Sequence, residues 1–71
     1  LQSLTPREVD VLRALAAGLD NRSVADRLGI TERTVHTHVE SMLDKLGVAS
    51  RLQAVLFALR HGFLDLSDID G

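Results

Sequence analysis

His36, His38 and Glu40 fall within five consecutive residues, a density of titratable side chains that a metal site or an acid–base pair would need. Helical spacing argues against both. Residues two apart on a helix point about 200° away from each other, so His36 and His38 do not converge on one ion. His36 and Glu40 share a face but supply two ligands, short of the usual three or four. There is no cysteine, and no Ser/His/Asp pattern or phosphate-binding glycine loop is present. We therefore expect no metal, no cofactor and no enzymatic activity. His61, near the end of a helical segment, is placed to interact with the helix dipole.

The same residues suit a different task. Arg33, His36, Thr37 and Glu40 recur at helical spacing on one polar face. Arginine reaches phosphate or guanine, His and Thr donate or accept at base edges, and Glu accepts from a cytosine amino group. Thr34, His38 and Ser41 lie beside that face and could bond backbone phosphates. Arg22 opens the preceding helix, where a helix N-terminus already favours phosphate.

Those side chains need a helix to carry them, and the helix boundaries are well marked. Thr5, Asp20, Thr31 and Ser50 have N-cap chemistry, with Asn21 an alternative to Asp20. Thr5 with Glu8 and Ser50 with Gln53 have capping-box spacing, and Pro6 fits the first helical position. Gly18, Gly29, Gly47 and Gly62 each follow a helical pattern. The pattern predicts helices over 6–17, 21–28, 32–46 and 51–61. The first turns Val9, Leu12, Leu15 and Ala16 inward, the second Val24, Ala25 and Leu28, and the third Val35, Val39, Met42, Leu43 and Leu46. The fourth is apolar almost all round, so part of its surface is expected to be exposed or covered by a partner. No alternating pattern suggests a strand. A short helix, a glycine turn and a longer helix make a helix-turn-helix layout, about 21–40, in which the second helix enters the major groove.

Composition sets limits. Seventy-one residues make one small domain with a thin core. The net charge is −2, with eight basic and ten acidic residues. Asp65, Asp68 and Asp70 belong to a short acidic tail, 65–71, and without them residues 1–64 hold eight basic and seven acidic groups. DNA affinity must then come from where the charges sit. No apolar run approaches the ~20 residues of a membrane span, and no signal peptide is visible, so a cytoplasmic location is expected. The chain opens on Leu1, from which we expect a longer parent protein.

Several segments together resemble the LuxR-type helix-turn-helix family, also called the GerE family. They are Leu4-Thr5-Pro6-Arg7-Glu8, Ala17 to Arg22, Val24 to Glu32, Thr34-Val35, His38-Val39, Lys45 to Val48, and Arg51-x-Gln53-Ala54. The resemblance spans about residues 4–63. It implies an all-α, four-helix domain that binds promoter DNA as the effector part of a NarL/FixJ-type response regulator or an acyl-homoserine-lactone receptor. It further implies a dimer formed through the last helix, with Leu52, Gln53, Leu56 and Leu59 at the interface, contacts to RNA polymerase during activation, and a receiver or sensor domain elsewhere in the parent. By position, the resemblance assigns base contacts to His36, Thr37 and Glu40, joined by Arg33, and a backbone contact to Arg22. We expect Thr31, Thr34, His38, Ser41 and Lys45 at phosphates as well. Position 36 is often Lys in the family and position 40 can be basic, so His36 and Glu40 lower the positive charge of the reading face. A second reading stays open: a protein-interaction module, comparable to sigma-factor domain 4, with little DNA binding of its own.

Overall fold

The computed structural model describes residues 3–65 and 67. They form four helices: α1 (Pro6–Ala16), α2 (Asn21–Leu28), α3 (Glu32–Leu46) and α4 (Arg51–Arg60). Among the described residues there is no strand. The expected helices are all present, with α1 and α4 each ending one residue early because Ala17 and His61 act as C-caps. Asp68 and Asp70 of the expected tail lie outside the described residues.

The N-caps are those expected. Thr5 Oγ1 accepts from the Glu8 amide, Asp20 Oδ1 from Ser23, Thr31 Oγ1 from Thr34 and Ser50 Oγ from Gln53. Asp20, not Asn21, caps α2, and the Ser23 amide holds the Asp20 carboxyl below its ordinary value, with Arg22 assisting. The box at α4 differs from expectation. Gln53 Oε1 reaches past Ser50 and accepts from the Ala49 amide at 2.8 Å. At the other end of α4 the His61 ring stacks on Phe57, with centroids 4.2 Å apart.

α1 and α3 each touch every other helix and divide the interior into two apolar clusters. One joins Leu12 and Ala16 to Met42, Leu46, Ala54, Ala58 and Leu64 and seats α4. The other joins Val11 and Ala14 to Val24, Ala25, Val35 and Val39 and seats α2. Leu15 and Leu43 pack against both. This corrects the single inward face expected of α1: Val11 and Ala14 are also buried, while Val9 and Leu15 are only half-buried. A helix flanked on two sides needs two apolar stripes. Ala54 and Ala58 are fully buried, and their small side chains let α4 lie close to the central pair.

One charge lies inside. Glu8 is 3% exposed. Its Oε1 accepts from the Thr5 amide at 2.8 Å and from Lys45 Nζ at 2.8 Å, and its Oε2 accepts from Ser41 Oγ at 2.7 Å. A cap residue of α1 is thereby bonded to two side chains of α3 that are 33 and 37 positions away. Burial, the largest single influence, raises the Glu8 carboxyl, but the bonds from Lys45, Thr5 and Ser41 and the charge of Lys45 together outweigh it and hold it at about 2.

Because the folded value lies below the ordinary 4.5, the interaction stabilises fully above that value and is lost as pH falls toward 2. The contribution at neutral pH is about 3 kcal/mol by linkage. Urea unfolding of wild type and Glu8→Gln should show a stability gap at pH 7 that narrows by roughly half at pH 3. A gap independent of pH would contradict the ionised network.

Candidate nucleic-acid interface

The turn between α2 and α3 sets where the longer helix begins. Gly29 takes φ +69° and donates to Ala25 O, and Ile30 N also reaches Ala25 O at 3.0 Å. This closes the end of α2, while Ile30 packs against the second cluster. Thr31 starts α3 two residues later. Its Oγ1 lies 2.9 Å from Thr34 Oγ1, so both hydroxyls serve the cap.

Burial of Val35, Val39, Met42 and Leu46 turns the opposite face of α3 outward. Arg33, His36, Thr37 and Glu40 are all exposed along one stripe, as expected, with Asp44 continuing it. The stripe has internal order. His36 Nε2 lies 2.8 Å from Glu40 Oε1, with the two side chains 62% and 68% exposed. Thr37 Oγ1 donates to the Arg33 carbonyl at 3.1 Å. Arg22 is exposed near the start of α2, Thr31 is exposed, and Thr34 and His38 are half-buried.

Ser41 and Lys45 stand apart from this set. Both were expected at phosphates, yet both are half-buried and turned to Glu8. They lie at i and i+4 on the flank of α3 that faces the start of α1, where the buried carboxylate requires donors. Sequence reasoning saw Glu8 only as a capping residue. The available signal was a serine and a lysine four apart beside an apolar stripe, a pairing that suits a buried acid as well as solvent.

On α4, Leu52 is 68% and Leu56 51% exposed. They border a shallow groove of about 440 Å³ with Leu15, Leu19, Val55 and Leu59. Leu59 is half-buried against the first cluster, and Gln53 is exposed while capping Ala49. Among the described residues, no group of three or more His, Asp or Glu could hold a metal ion. No described helix is long and apolar enough to cross a membrane.

Comparison with known proteins decides the family. The family model for bacterial regulatory proteins of the luxR family matches residues 2–58. The chain belongs to the LuxR family. It is a DNA-binding helix-turn-helix domain of a transcriptional regulator. It is similar to the transcriptional regulatory protein LnrK of Bacillus subtilis strain 168, with 45% identity over 62 residues, covering 87% of this chain and 28% of LnrK. It is likewise similar to the nitrate/nitrite response regulator protein NarL of Escherichia coli K12, with 47% identity over 57 residues, covering 80% of this chain and 26% of NarL. This LuxR-family domain thus spans less than a third of either regulator. The solved structure of the transcription factor GerE superposes with TM-score 0.83 at 38% identity, covering 92% of this chain and 98% of GerE's. That of the response regulator ChrA, from a heme-sensing two-component system, superposes with TM-score 0.85 at 39% identity, covering 90% and 32%.

Nothing lies within 4 Å of a Cβ built on Gly29, so a side chain there meets no obstacle and pays only for the left-handed backbone. Gly29→Ala should destabilise the domain by about 1 kcal/mol, and Gly29→Asn by less. Urea unfolding measures both. Equal stability of all three proteins would mean the turn has relaxed to another conformation.

Proposed function

We propose that this domain reads promoter DNA with α3 in the major groove, as the output part of a response regulator. The observation that carries the reading is the outward stripe of Arg33, His36, Thr37 and Glu40, held proud of a helix whose fully buried residues are all apolar. The groove is about 12 Å wide and admits one helix with its side chains. Arg33, His36, Thr37 and Glu40 meet base edges. Arg22, Thr31, Thr34 and His38 meet phosphates around them. Ser41 and Lys45 act from behind, by holding α3 to α1 through Glu8. The likeness to NarL and ChrA, both response regulators, supports a response-regulator parent; a receiver domain, a cytoplasmic location and contact with RNA polymerase during activation belong to the same proposal.

We further propose a dimer. Leu52 and Leu56 project from α4 one turn apart, with Leu59 and Gln53 at the margin. Two copies about a two-fold axis read two half-sites. DNA that carries two half-sites aligns the pair.

Amide NMR of the labelled domain with a random 20-base-pair duplex at low salt tests the first reading. Non-specific affinity of about 10⁻⁴–10⁻⁶ M at physiological salt is within reach of this method. Shifts should gather at Arg22 and over 31–40 and reverse with salt; no movement there rules out α3 as the reading helix. Arg22→Ala should weaken binding to every sequence and lower the salt slope by about one. Thr37→Ala should weaken specific binding, whereas Ser41→Ala should leave the salt slope unchanged.

For the dimer, Leu52→Ser with Leu56→Ser changes two exposed positions, so stability should move by less than about 0.5 kcal/mol each. Cooperative occupancy of paired half-sites in a gel-shift assay should disappear. Retained cooperativity would place the interface elsewhere.

A further inference from the structure

We infer that the centre of α3 reads exocyclic amino groups, cytosine N4 or adenine N6, and not guanine. This rests on the proposed placement of α3 in the major groove and names the base chemistry it selects.

The donors of the stripe are largely spent within the helix itself. Thr37 has one hydroxyl proton, and it is directed to the Arg33 carbonyl at 3.1 Å. Its oxygen then offers only lone pairs to a ligand, and its methyl group an apolar contact. Glu40, as a carboxylate, is an acceptor and nothing else. His36 Nε2 sits 2.8 Å from Glu40 Oε1, so that nitrogen carries the proton and donates it to the carboxylate. In the neutral ring Nδ1 is left as an acceptor. With the ring neutral, these three neighbouring side chains carry acceptors and no unspent donor. Of the four on the stripe, Arg33 alone keeps N–H groups for a ligand, and it stands at one end.

Each base pair offers one amino donor in the major groove, and the strand that carries it decides the match. Cytosine presents N4–H₂ and adenine N6–H₂, whereas guanine presents only the acceptors O6 and N7 and thymine the acceptor O4. A guanine opposite residues 36, 37 and 40 would set acceptor against acceptor beside a carboxylate. Cytosine or adenine there supplies the missing donors. Arg33 fits guanine, or a phosphate, at the adjoining step. Holding the imidazole against Glu40 also fixes the carboxylate before DNA arrives, so His36 acts partly as a positioning residue for Glu40.

Selection from a random duplex library at pH 8 and low salt, with the 71-residue chain, tests this. In a motif oriented by its flanking bases, the wild type should enrich an amino-bearing base, on the order of ten-fold over guanine on the same strand, at the position governed by residue 40. Glu40→Lys exchanges an acceptor for a donor at an exposed site and should switch that one position to guanine, leaving the others unchanged. His36→Gln should blur the preference at the same position while Thr37→Ala should not. A wild-type preference for guanine there, or an unchanged preference in Glu40→Lys, overturns the inference. So does duplex binding without any base preference, which would leave α3 on DNA but not reading it. Loss of all duplex binding in the NMR titration would instead remove the parent reading along with this one.

Discussion

The architecture turns on the Glu8 carboxylate. A buried charge is tolerated only when its lone pairs are met, and here three donors, the N-cap amide of α1 and two side chains of α3, meet them. The residue that closes the first turn of α1 thus also sets the distance and rotation of α3 relative to α1. The hydrophobic effect is non-directional, whereas the hydrogen bonds from Ser41 and Lys45 fix direction as well as distance. The polar stripe at Arg33, His36, Thr37 and Glu40 inherits its orientation from that joint, because it belongs to the same rigid helix.

Charge is distributed accordingly. A chain of net charge −2 is a poor polyelectrolyte partner for DNA, and one of its cations, Lys45, is turned inward. What remains on the outer face of α3 is one arginine among acceptors. Such a surface gains little from counterion release and depends more on matching hydrogen-bond partners. The same substitutions that weaken general attraction, His at 36 and Glu at 40, therefore sharpen the chemistry that a correct site must supply.

Much of this was legible in the residues. The caps Thr5, Asp20, Thr31 and Ser50 and the left-handed glycines act within a few residues, so local pattern identifies them. The inward stripe of α3 follows from its period alone. The second buried stripe of α1 was not legible, because Val11 and Ala14 become core residues only when α2 arrives from another side. Nor was the role of Ser41 and Lys45. Their sequence context fits solvent, phosphate or a buried acid equally well, and only the packing of α1 across α3 selects the last. The Gln53 bond to Ala49 was missed for a smaller reason: a one-residue change of acceptance at a cap leaves no trace in composition.

The division of the interior into two clusters has a kinetic meaning. α2 buries only Val24 and Ala25 fully and rests on one cluster, whereas α4, Leu64 and the far half of α3 rest on the other. Opening α2 leaves the first cluster and the Glu8 joint intact, because none of their residues belongs to it. Proteins open in such units below the energy of global unfolding, so the amides of α2 can exchange with solvent while the rest stays closed. The element that braces the reading helix is thus able to open on its own, and a duplex that clamps it would slow its exchange.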